Sequence, residues 1–218
     1  MFRIVSIIGF IACFAGIGLY CVVRPCKECG WGVGQIMGRL MYLCLLPFIK
    51  WRLSLLGIFK KLVYWVALIC FVVLVVTGFA QRLVLDEAIS GYWLMLHATC
   101  APVFAICLAL LALMWAQRCV FRWGDWPWLE GWIRRVIRLE ADTEEPAFEG
   151  FNLGQKITFW LIIVLALPLI LSIVSSMFPF FGTHCQELLL DAHRYTALVL
   201  ALAAIVHTYL MIRTQMKG

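Results

Sequence analysis

The sequence predicts an all-α integral membrane protein, a four-helix transmembrane bundle preceded by one extra N-terminal helix. Three observations predict it. Of 218 residues, 64% are hydrophobic and 14% charged, whereas a soluble domain is about 45–50% apolar and about 25% charged. Five long runs carry no charge. The cations collect in the stretches between those runs. A mean hydropathy of +0.96 agrees. This composition excludes a soluble enzyme, a nucleic-acid-binding domain and a disordered chain.

The five runs are 4–23, 62–80, 88–116, 157–181 and 195–212. Each approaches or exceeds the ~20 apolar residues a helix needs to cross the hydrocarbon layer. Lipid offers a bare backbone amide no partner, so each must be helical. The first run follows Met1-Phe2-Arg3 without an obvious small-x-small cleavage site, so it reads as an uncleaved helix. Three units result: an extra helix over 1–25, a basic cytoplasmic or interfacial segment over 26–61, and a four-helix domain over 62–218.

Between the runs, 36–49 is apolar but short and holds Arg39 and Pro47, which suits an interfacial or re-entrant piece. The stretch 123–138 mixes four tryptophans with three arginines, which suits the headgroup level. Residues 141–150 are acidic and read as exposed. Cys13, Cys44, Cys70, Cys100 and Cys107 fall inside apolar runs and read as packing.

Orientation follows from the cations. Residues 24–61 hold seven Lys or Arg, 118–156 hold six, and the C-terminal tail adds Arg213 and Lys217, against Arg3, Arg82 and Arg194 on the other side. The positive-inside rule puts the N-terminus outside and the C-terminus in the cytoplasm, in the inner membrane of a prokaryote.

Four histidines remain: His97, His184, His193 and His207. Ionisable groups inside a membrane are costly and generally functional. His193 and His207 stand fourteen residues apart on one run. That is about 21 Å along a helix and about 40° short of four full turns, so both face one way. One helix then offers an imidazole to each half of the bundle, a layout for two stacked haems. His97 supplies the opposite ligand for the outer site, although measured from the ends of the runs its depth and that of His193 differ by about three turns. Two axial imidazoles make a six-coordinate b haem suited to electron transfer. Zinc is the rival metal, but two facing histidines without a further ligand make a poor tetrahedral site. Proton relay by His97 and His193 is a third reading. His184 falls in a short outer loop and reads as solvent-facing or at a partner interface. Cys26 and Cys29 form a CxxC with no following histidine, so it is not a c-type haem attachment, and a metal or redox role for it stays open.

These residues carry a resemblance. From Lys60 to Gly218 the chain resembles the cytochrome b (gamma) subunits of respiratory formate dehydrogenases. It is similar, more loosely, to the cytochrome b subunits of membrane-bound nickel–iron hydrogenases. The segment Phe151-Asn152-Leu153-Gly154-Gln155-Lys156, followed by Phe159-Trp160, resembles that family's N-x-G-Q-K opening of its third core helix. Thr77-Gly78, His97 and the His193–His207 interval match as well. The resemblance implies a bundle holding b haem, one per chain with His207 offered to a second, and a quinone. His97 and His193 match the outer-haem ligands and His207 an inner one, while Asn152 and Gly154 match residues that bind quinone. It also implies an outer-face iron–sulfur or multihaem cytochrome partner and a catalytic dehydrogenase subunit. From position and charge, Arg82 and Arg194 are expected to pair with the outer propionates, and Lys156 and Arg213 to frame the quinone mouth.

The chain departs from that pattern at Tyr64-Trp65, where the family has a histidine before the tryptophan. An inner haem then lacks its second histidine. The outcomes are no inner haem, a ligand supplied from residues 26–61 or a partner, or Tyr64 as phenolate. The expectation is one bis-histidine haem per chain. The leading function is a membrane electron-transfer subunit between an outer-face donor and the quinone pool; the alternative is an anchor that only tethers partners. The sequence does not name the donor.

Overall fold

The structure is a computed structural model, and it describes residues 1–23, 55–121, 151–178 and 182–215. Five long helices result: α1 (Phe2–Val23), α2 (Leu55–Ala80), α3 (Gly91–Trp115), α4 (Leu153–Ser176) and α5 (Gly182–Gln215). All five are long and apolar enough to cross a membrane. Among the described residues there is no strand. The segments 36–49, 123–138 and 141–150, together with Cys26, Cys29 and Cys44, lie outside the described residues.

The helices pair into two antiparallel hairpins. In the first, Thr77 of α2 meets His97 of α3, and Phe71 meets Phe104. In the second, Leu169 of α4 meets His193 of α5, Thr158 meets His207, and Gln155 meets Leu210. Falling numbers on one helix meet rising numbers on the other, as an antiparallel register requires. The hairpins close on each other through Leu108, Ala166 and Leu200, joined by Phe71, Phe104 and Ile162. α1 runs parallel to α5: Phe2 lies edge-on to Tyr195 and Tyr20 to Tyr209. Large apolar side chains such as Ile4, Ile11, Ile69, Leu113 and Leu167 stay exposed, as lipid-facing positions do.

Local chemistry sets the helix ends. α2 widens into a π-helical turn over Gln81–Leu85 and stops at Asp86, whose φ of 57° is left-handed. α4 opens with a capping box in which Gln155 Oε1 accepts the Asn152 N–H at 2.9 Å, occupying a donor that a helix start leaves unpaired.

Two ends differ from the sequence reading. α2 begins at Leu55, so Lys60 and Lys61 lie within its helix instead of flanking it. α5 begins at Gly182, thirteen residues before the run at 195. The apolar run marks the lipid-buried part, whereas the helix continues through the polar stretch holding Glu187 and Asp191. His184 therefore stands in the first turn of α5, exposed, and not in a loop. His193 lies well inside its helix, which cuts the three-turn difference in depth from His97, measured from the helix starts, to about one and a half turns.

Candidate haem site

His97 and His193 face one void. All four helices α2–α5 line it. Apart from the two imidazoles its walls are apolar: Phe71, Leu74, Val75 and Phe79 from α2, Phe104 from α3, Ile170 and Ile173 from α4. Four alanines, Ala101, Ala105, Ala166 and Ala197, keep it open. Its floor is the Leu108–Ala166–Leu200 contact between the hairpins. A void with apolar walls and two facing imidazoles suits a large apolar ligand with two polar points of attachment.

The hydrogen bonds of the imidazoles decide which nitrogen is free. His193 Nδ1 lies 3.0 Å from the Leu169 carbonyl. A carbonyl only accepts, so Nδ1 carries the proton and Nε2 keeps its lone pair. Thr77 Oγ1 donates to the Val73 carbonyl at 2.7 Å, so toward His97 Nδ1, at 2.8 Å, it accepts. Nε2 of His97 is again the free lone pair. This is how a metal-binding histidine is held, with the second nitrogen committed to a neighbour. Gly78 belongs to the same device: a Cβ there would lie 3.2 Å from His97 Cε1. The residues present therefore fit an iron porphyrin with two axial imidazoles.

His207 does not line this void. It sits toward the other end of α5, where Thr158 Oγ1 lies 2.8 Å from its Nδ1 and donates to the Gly154 carbonyl at 2.8 Å. His207 thus shares the tautomer of the other two. Of the six buried polar side chains among the described residues, Gln155 and Thr158 lie here, while Lys156, about 200° around α4 from Thr158, is buried on another face of that helix. Gln155 Nε2 donates to the Leu210 carbonyl at 3.2 Å, bracing α4 on α5.

The remaining expected residues fall as follows. Asn152 is the N-cap of α4. Gly154 is a close-packing position, since a Cβ there would meet Leu210 Cδ1 at 3.1 Å. Lys156 is buried. Arg82 donates to the Asp86 carbonyl at 3.1 Å, and Arg194 pairs with Asp191 at 2.8 Å. Both arginines lie at the end nearer the void. Tyr64 stands seven residues before Phe71, about 20° from it around α2, and is 42% exposed. Thirteen residues separate Tyr64 from Thr77 and fourteen separate His207 from His193, so Tyr64 and His207 lie at similar depth. Among the described residues no group of three His, Cys, Asp or Glu is placed to hold a metal ion.

Sequence reasoning missed Thr77, Thr158 and the Leu169 carbonyl as partners of the histidines. Only the register between helices brings them together. Gln155 was legible as the last member of an N-x-x-Q capping box.

The family model for prokaryotic cytochrome b561 matches residues 56–218. The chain belongs to that family. Membership supports a multi-pass membrane protein that carries b haem and transfers electrons, related to the cytochrome b of hydrogenases. A comparison with curated proteins gives no match. The matched region covers α2–α5 apart from Leu55 and leaves α1 outside.

Proposed function

We propose that this cytochrome b is the membrane electron-transfer subunit of a respiratory oxidoreductase, of the formate dehydrogenase or hydrogenase kind. It links an outer-face iron–sulfur or multihaem cytochrome partner and its catalytic dehydrogenase to the quinone pool. One observation carries the reading: His97 and His193, from different hairpins, face one apolar void with both Nδ1 protons committed elsewhere. Bound there, a b haem supplies one-electron ferric/ferrous chemistry. His97 and His193 would hold its iron through Nε2, the nitrogen each leaves uncommitted. Thr77 and the Leu169 carbonyl fix the ring planes. The phenylalanine and alanine walls exclude water, which favours a charge-neutral ferrous state.

The quinone reading draws on the opposite end. His207 holds its Nδ1 proton on Thr158, so its Nε2 accepts a proton from a quinol hydroxyl or, once protonated, gives one to a quinone oxygen. Asn152 and Gly154 border that position, with Lys156 near the same end of α4 and Arg213 one and a half turns beyond His207. The distribution of charge supports placing this end in the cytoplasm. Among the described residues Lys60, Lys61, Arg118, Lys156 and Arg213 gather here, against Arg3, Arg82 and Arg194 at the other end.

A second reading, an anchor without electron transfer, is favoured by Tyr64 in place of an inner histidine. A reduced-minus-oxidised optical spectrum of the purified protein separates the two. A sharp b-type signal that quinol analogues perturb supports the electron-transfer subunit; no such signal leaves the anchor.

A further inference from the structure

α1 lies outside the family-matched residues, yet it packs on the wall of the haem void. Phe79 lines that void, and α1 covers its other side: Phe2 stacks on it at 6.1 Å between ring centroids and Phe10 meets it edge-on at 5.4 Å. Phe2 and Phe79 belong to one buried cluster with Leu198 and Ala201, against which the void-lining Phe71, Val75 and Ala197 also pack. Between Phe2 and Phe10, Ser6 is fully buried, and its hydroxyl has no hydrogen-bond partner among the described residues. Gly9 faces α5: a Cβ there would just reach ordinary contact with Leu202 Cδ1 at 3.4 Å, so only a longer side chain would press on that helix. Arg3 anchors the end nearest the void: its Nε donates to the Leu83 carbonyl at 3.0 Å, and its guanidinium faces the Asp86 carboxylate at 3.8 Å. At the far end Arg213 lies over the Tyr20 ring at 4.3 Å and Cys21 meets Tyr209 at 3.2 Å.

We propose that α1 is a constituent of the haem pocket and sets the haem's reduction potential, with Phe2 and Phe10 as its seal and Arg3 as its positioning residue. The proposal rests on the assignment of haem to His97 and His193. Both ligands come from α3 and α5, so α1 is not needed to hold the iron. It controls what surrounds it. Removing the seal lets polar surroundings reach the Phe79 wall, which stabilises the more highly charged ferric form. Removing Arg3 leaves the Asp86 carboxylate without one of its two guanidinium neighbours, which acts in the same direction. Both changes lower the potential.

The test is a potentiometric titration of the b-haem spectrum in the full-length protein carrying Gly9→Leu, Arg3→Gln or Arg3→Lys. The bulky Gly9→Leu side chain wedges α1 from α5. The expected result is retained haem and, at fixed ambient potential, about a tenfold higher ferric-to-ferrous ratio in Gly9→Leu, a 59 mV fall for a one-electron couple. Arg3→Gln shifts in the same direction by less, and Arg3→Lys restores the wild-type titration. Intact mass of the purified chain supplies a haem-independent check: α1 is retained. An unchanged potential in both Gly9→Leu and Arg3→Gln, loss of haem from both, failure of Arg3→Lys to keep the wild-type potential, or an intact mass showing that the unaltered purified protein has lost α1 would overturn the inference. A b-type spectrum in the unaltered protein with unshifted variants overturns this inference alone. Its absence from the unaltered protein overturns the haem assignment as well.

Discussion

The two halves of the bundle hold the same kind of histidine in different company. Near Asp86, His97 and His193 face one void whose other walls are apolar. Toward Lys60, His207 is held by Thr158 beside the buried Gln155, with Tyr64 at similar depth on α2. In both halves Nδ1 is committed and Nε2 is free. The difference lies in the surroundings. Two imidazoles in an apolar box suit a permanently held six-coordinate cofactor. One imidazole in a polar cluster suits a ligand that arrives, exchanges protons and leaves. The contrast teaches that a histidine's tautomer prepares it to bind, whereas its neighbours decide what is bound.

The largest effect that would break this contrast is His193→Ala. It removes one of two axial ligands, and the b-type spectrum should vanish; a full haem complement in the variant would refute the pairing. His207→Ala should do the reverse, leaving haem content unchanged while quinol oxidation falls by about 10²-fold or more, the scale of a lost acid–base group. Pyridine haemochrome assay and quinol kinetics on one sample read both quantities. Thr77→Val strands the His97 Nδ1–H and should weaken haem retention about 10–100-fold, the range for losing a ligand's outer partner, measured by competition with apomyoglobin. The smallest effect is expected at Gly154. Gly154→Ala forces Leu210 to shift and should cost about 1 kcal/mol of stability, seen as a modestly lower thermal midpoint with the haem spectrum intact.

The spans were legible because lipid demands long apolar runs, and all five appear as helices. Helix ends were less legible. α5 runs through Glu187 and Asp191 because a helix outside the hydrocarbon layer needs no apolar residues, so the pattern that reveals the span is silent there. The His193–His207 interval was readable from helix geometry, and both side chains do face α4. Thr77 and Thr158 were unreadable. A threonine in an apolar helix ordinarily bonds its own preceding turn, as both do here. The additional bond to a histidine depends on how two helices align. Asn152 and Gly154 read as quinone residues by resemblance, and the structure adds to each a packing role, as N-cap and as close-contact glycine.

The central claim is that one half of the bundle holds a bis-histidine haem and the other half does not. Haem extracted and counted per polypeptide tests it most directly. The account predicts one haem per chain, lost in His97→Ala and in His193→Ala and retained in His207→Ala. Two haems per chain, with His207→Ala removing one of them, would contradict it.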